Sequence, residues 1–130
     1  MKKRNKVIIV VIGIICALAV GMFISVGRSA KDAASNIAIQ NINATGTADG
    51  VYEGHYEITP VKVSVRVSVS NEKITDIIIL EHETGFGGKA EIIINDVIDQ
   101  QSLDVDTISS ATVSSKAILK AVEDALQSGR

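Results

Sequence analysis

Tryptophan is absent from this chain, and aromatic residues of any kind make up 3% of its 130 residues. Tyr52, Tyr56 and Phe86 are the only aromatics beyond the first apolar stretch, too few to grip a flat ligand by stacking alone. Cysteine is reduced to Cys16, so no intrachain disulfide can form. It follows Ile15 inside an apolar run and reads as a small apolar residue. Only two histidines occur, His55 and His82, and without cysteine partners they make a poor metal site. His82-Glu-Thr-Gly-Phe86 also fails the H-E-x-x-H spacing, because Phe86 stands where the second histidine belongs. Acid is missing from one end altogether. Residues 1–28 hold 5 of the 13 Lys and Arg and no Asp or Glu, whereas residues 29–130 carry all 15 acids and a net charge of −7. So acidic a body excludes nucleic acid as a partner and disfavours lying flat on anionic lipid.

The run from Val7 to Val26 is uncharged and dominated by Val, Ile, Ala and Leu. As a helix of about 1.5 Å rise per residue it matches a hydrocarbon core of about 30 Å. Lys2, Lys3, Arg4 and Lys6 precede it, while only Arg28 and Lys31 follow closely. The positive-inside rule then puts residues 1–6 in the cytoplasm, makes residues 7–26 the anchor, and places the rest outside the cell membrane. A cleaved signal peptide is the rival. Its apolar region is shorter, about 7–15 residues, and ends in a small-x-small site, which Ser25-Val26-Gly27 matches poorly. Residues 27–48, rich in Ala, Ser, Asn, Gly and Thr, read as a tether that would reach about 70–80 Å if fully stretched.

A folded domain is expected over residues 49–130. Val51 to Ile58 reads as a strand. Val61, Val63, Val65, Val67 and Val69 alternate with Lys62, Ser64, Arg66 and Ser68, the period-two signature of a strand with one buried face. Asn71-Glu72-Lys73 supplies a hairpin connection. Ile74 to Leu80 is a third strand, whose continuous Ile77-Ile78-Ile79-Leu80 run suggests burial on both sides. The period then changes to that of a helix. Ala90, Ile93, Ile94, Val97 and Ile98 form one apolar face, and Ala117, Ile118, Ala121, Val122 and Ala125 form another. Strands followed by helices, without alternation, point to an α+β fold: a small antiparallel sheet of about three strands packed with two helices, preceded by one transmembrane helix.

Two glycine- and hydroxyl-rich stretches carry the chemistry. Gly85-Phe-Gly87-Gly-Lys-Ala90 fits G-x-G-x-x-A between a strand and a helix. A dinucleotide turn needs a parallel βαβ unit, which the hairpin before it and the lack of a strand after it do not provide. Its glycines still admit a ligand close to backbone, and His82 lies at the strand end beside them. Asp106-Thr-Ile-Ser-Ser-Ala-Thr112-Val-Ser-Ser115 leads straight into the last helix. Its hydroxyls suit an N-cap. They equally suit a phosphate, since a helix start offers unpaired N–H groups and partial positive charge. Ser109, Ser110, Ser114 and Ser115 would add hydroxyls, and Lys116 a counter-charge.

The second stretch resembles the flavinylation signature Asp-x-x-Ser/Thr-Gly-Ala-Thr. The resemblance extends in order over nearly all of residues 49–126: Asp49-Gly-x-Tyr-x-Gly54, the valine strand, Asn71-Glu-Lys-Ile-Thr-Asp76, Glu83-Thr-Gly85 with the glycine turn, Gln101-Ser-Leu-Asp-Val-Asp106, and Ser110-Ala-Thr-Val-Ser-Ser-Lys-Ala117. This order is similar to the FMN-binding domains of the flavin subunits of Rnf and sodium-translocating NADH:quinone reductase complexes, which also occur as stand-alone exported proteins. The resemblance implies FMN joined through its phosphate to Thr112, donated from FAD by a flavin transferase that reads Asp106, Ser109, Ser110 and Ala111. With that cofactor in view, His82, Glu83, Thr84, Gly85, Gly87, Ser114, Ser115 and Lys116 are the further candidate cofactor-binding residues. At Ser110 the family usually has glycine, which takes φ > 0 without the cost a serine bears there.

The expectation is a membrane-anchored, extracytoplasmic flavoprotein that carries electrons between membrane or extracytoplasmic redox partners, and is not an enzyme alone, since no acid–base pair is evident. The other reading is a cofactor-free interaction module docked on a membrane complex.

Overall fold

The computed structural model describes residues 2–59, 61–83 and 88–130, in two units, residues 1–32 and 33–130. The first is formed by helix α1, which runs Lys2–Ser35. Within α1, Lys3–Ser25 is long and apolar enough to cross a membrane. None of its large apolar side chains is sheltered by the protein: Val7, Ile9, Leu18 and Phe23 are 61–78% exposed. Helical geometry satisfies the backbone internally, so a surface this apolar is at ease in hydrocarbon and in conflict with water.

The second unit is α+β. Strands β1 (Gly50–Ile58), β2 (Val61–Ser70) and β3 (Lys73–Glu83) form an antiparallel sheet in the order β1-β2-β3. Ser70 pairs with Lys73, and Asn71 and Glu72 between them have φ of 51° and 58°. Positive φ at both central residues is the mark of a type I′ turn, whose twist matches that of the strands it joins. After β3 the chain forms a 3₁₀ turn, Gly88–Ile92, then helix α2 (Ile93–Gln100) and helix α3 (Thr112–Ser128).

The core is the valine face of β2 against α3. Val63, Val65 and Val67 are fully buried, as are Ala117, Ile118, Ala121, Val122 and Ala125. β1 approaches α3 so closely at Gly54 that a Cβ there would overlap the Ala121 carbonyl oxygen and the Ala125 amide nitrogen. Ile93 and Val97 of α2 close the core beside Ile74 and Ile77 of β3. Gln101, at φ 51°, ends α2 in the left-handed region. Its side chain accepts a hydrogen bond from Ile74 N (2.7 Å) and donates to the Ile74 and Ile98 carbonyls (2.8 and 2.7 Å), clamping the helix end to β3.

Two expectations change. Ile77 is buried, but Ile78 and Leu80 are 46% and 43% exposed, because the sheet is covered on one face only and β3 is its edge. The outer face instead carries the pairs Arg66–Glu53 (2.8 Å) and Lys62–Glu81 (3.5 Å). Much of the segment expected to be a free tether belongs to the folded unit. Ile37, Ala44 and Thr47 are buried. Gln40 N donates to Glu123 (3.0 Å), Gly46 N to Glu72 (2.8 Å) and Arg130 to the Asn43 carbonyl (2.9 Å). The buried Glu123 carboxylate also accepts from Lys120 and Gln127, so its charge is paired inside the fold.

Candidate functional site

Leu103, only 2% exposed, pins the connection between α2 and α3 to the core. Beyond it the chain closes a tight turn, with Ala111 N donating to the Ile108 carbonyl at 2.9 Å. Ser109 and Ser110 occupy the two central positions, and Ser110 has φ 60°. Positive φ at the second central residue alone is the requirement of a type II turn, and glycine is favoured there because it has no Cβ to clash. The serine therefore stands in a backbone conformation suited to glycine.

Ser115 fixes this turn to the helix that follows. Its hydroxyl is fully buried, donates to the Ala111 carbonyl (2.7 Å) and accepts from Ile108 N (3.0 Å). Ser114 is also buried, Lys116 is half-buried, and Ala111 is 5% exposed. Ser109, Ser110 and Asp106 are exposed. The hydroxyl-rich entry is not a cap: the N-cap residue of α3 is Ala111, and no side chain caps the helix. Thr112 is the first helical residue and is exposed. An exposed threonine thus stands at the positive end of a 17-residue helix, next to a turn held by a buried brace.

The 3₁₀ turn brings distant residues to this place. Ala90 is fully buried and anchors it. Lys89, on one side, donates from Nζ to Ser110 Oγ at 2.5 Å, and Ser110 Oγ in turn donates to the Ser109 carbonyl at 2.7 Å. Glu91, on the other, meets His82 Nδ1 at 3.1 Å. The His82 side chain is only 2% exposed. A carboxylate can only accept, so Nδ1 carries the proton in that contact. His82 Nε2 is buried with no partner. Leaving such an atom unsatisfied costs about 1–3 kcal/mol, and Thr47 Oγ1 is the other buried side-chain atom among the described residues in that state.

Of the expected site residues, the structure brings Ser109, Ser110, Ala111, Thr112 and Ser115 together in one brace-and-turn unit. His82 is linked to that unit's neighbour, the 3₁₀ turn, through Glu91. Glu83 ends β3, exposed and paired in register with Lys62. Thr84, Gly85 and Gly87 lie outside the described residues. His55 and His82 do not converge: His55 pairs with Ser64, which faces out, and His82 with Val63, which faces in. His55 Nδ1 is 2.8 Å from Ser64 Oγ. Sequence reasoning noted Lys89 only as a helix start suited to anions and missed its contact with Ser110, as it missed Glu91 altogether; their partners lie 21 and 9 residues away. The only local signal was a lysine placed directly after the glycines.

Comparison with known proteins places the sequence of this unit in a family. Residues 59–127 match the family described as the FMN-binding domain, a stretch holding β2, β3, both C-terminal helices, Lys89 and Thr112. The chain is also 35% identical over 82 residues to a protein of Treponema pallidum (strain Nichols) described as an uncharacterized protein. That alignment takes in 61% of this chain and 23% of the relative, so the chain spans less than a quarter of the relative's length. With the family match covering more than half of its residues, the chain belongs to the FMN-binding domain family.

Proposed function

We propose that this protein is a membrane-anchored, extracytoplasmic electron carrier whose FMN is joined through its phosphate to Thr112. The observation that carries the reading is the exposed Thr112 hydroxyl at the uncapped start of α3, directly after a turn with φ 60° at Ser110. A phosphate ester at that oxygen would lie against the partial positive charge at the N-terminal end of the helix. The residues present fit such a group. Thr112 supplies the oxygen, the helix start and Lys116 supply positive potential, and the open Nε2 of His82 is available to a polar atom of the cofactor.

Attachment balances with FAD as donor and a flavin transferase as catalyst. The Thr112 Oγ–phosphorus bond forms, the FAD pyrophosphate bond breaks, AMP leaves, and the hydroxyl proton is lost. FMN, once bound, supplies one- and two-electron redox chemistry, and the protein supplies attachment and orientation. The scarcity of aromatic residues supports a covalent link, since Tyr52 and Tyr56 are the only aromatics among the described residues of the folded unit. The basic residues before the apolar stretch of α1 support a cytoplasmic N-terminus and an external domain, where membrane or extracytoplasmic redox partners would exchange electrons with it.

Intact mass after co-expression with a flavin transferase tests the attachment. The wild-type chain should gain the mass of FMN less one water and Thr112→Ala should gain nothing, with flavin absorbance that survives denaturation in the wild type alone. An unmodified wild type, beside a known substrate that is labelled, would overturn the reading in favour of a cofactor-free interaction module.

A further inference from the structure

We infer that Lys89 is the cationic partner of the phosphate group transferred to Thr112, holding that group during attachment and in the finished protein. The inference rests on the Thr112 reading above and adds a residue that reaches the site from another element.

Lys89 places an ammonium 2.5 Å from Ser110 Oγ, two residues before Thr112. Its partner there is a neutral hydroxyl. The ion pairs among the described residues engage Lys62, Arg66, His82 and Lys120, and none engages Lys89. An acidic body with eight basic residues after Arg28 has carboxylates to spare, yet this charge is directed at a cluster of hydroxyls. The backbone that directs it is held on the next two residues: Ala90 is fully buried and Glu91 is tied to His82. An ammonium has three donors, and the Ser110 contact uses one. Among the described residues nothing else engages it, which leaves donors for an anion at the neighbouring residue. A phosphodiester carries one negative charge, and a point charge on a flexible stem can follow it from the incoming pyrophosphate to the product. The residue thereby couples the 3₁₀ turn to the attachment segment, 21 positions apart in sequence.

A purely structural role is the competing account: Lys89 would only steady Ser110 in its strained φ. The two separate in a double-mutant cycle. The full-length chain and its K89M, K89R, S110G and S110G/K89M variants are labelled with FAD and a flavin transferase, and the initial rate is read by intact mass, with thermal melts to compare folding. Lys89 is exposed, so K89M leaves the core untouched. The expected result is slowing on the order of tenfold or more in K89M, substantial recovery in K89R, and the same slowing when K89M is added to S110G, where no serine side chain remains to be steadied. Wild-type rates in K89M would overturn the inference. So would loss of the K89M effect in the S110G background, which would reduce Lys89 to a support for the turn. A wild type that stays unlabelled while a known substrate is labelled would overturn the attachment reading itself. That result differs from the first two, in which the wild-type chain is modified at Thr112.

Discussion

Ser110 holds a left-handed conformation that a Cβ makes unfavourable by about 1 kcal/mol. Its surroundings hold it there: the Ile108–Ala111 turn hydrogen bond, the buried Ser115 hydroxyl behind it and the Lys89 ammonium in front. Ser110→Gly should relieve the strain and raise stability by about 0.5–1 kcal/mol, less the value of the Lys89 contact. Urea unfolding of the unmodified protein would read that change. Labelling at Thr112 should be at least as fast as in the wild type, because the glycine matches the turn the backbone already makes. A loss of stability would show that the Lys89 contact outweighs the strain. At this scale the sequence was informative where the residues are contiguous. Asp106 to Ser115 could be read as one unit, including the oddity of a serine at a glycine position. What it could not yield was the bracing of the turn by Ser115, or the arrival of Lys89. Both depend on which side of a turn faces inward and on contacts that exist only after the chain has folded.

The elements were legible wherever a period was clean. The alternating valines fix which face of β2 is buried, and the Ala117–Ala125 stripe fixes the face of α3 that covers it. A continuous apolar run was ambiguous. Ile77 to Leu80 looks the same whether a strand is central or at an edge, and only the number of layers decides. The small stretch before α2 was likewise too short for its periodicity to separate a 3₁₀ turn from a helix. Gly54 was visible only as a glycine within a strand, and its role depends on α3, some 70 residues later. Gly54→Ala should force β1 away from the Ala121–Ala125 backbone and cost about 3 kcal/mol, seen as a lowered denaturation midpoint. The cost falls on backbone atoms, which cannot rotate aside as a side chain would. A neutral result would mean that β1 can shift outward, as an edge strand can.

For the whole molecule the governing feature is the contrast between its two units. One is an apolar helix with basic residues at its start, the other a domain with its own core and an acidic surface. The full chain should therefore sediment with membranes and resist extraction at alkaline pH, whereas a chain beginning at Ala33 should stay in the supernatant with an unchanged cooperative melt. Recovery of the full chain in the soluble fraction would remove the anchor from the description.

The docking of Ile37 to Thr47 onto the domain bears on how far a carrier can travel. A 22-residue tether was expected, but only residues 26–36 separate the apolar stretch ending at Ser25 from the first buried residue of the folded unit. Nearly all of this segment is the last part of α1, which runs to Ser35, so it spans roughly 17 Å as a helix and no more than roughly 40 Å even if fully extended, at most about half the reach anticipated. If the proposed cofactor is attached and α1 is inserted, so short a leash would hold it in a thin layer beside the bilayer, where its local concentration toward neighbours in the same membrane would be high. Its encounters would then be two-dimensional. The partners best served would be integral proteins whose redox centres open near the lipid surface, and a donor or acceptor far from the membrane would have to come to it.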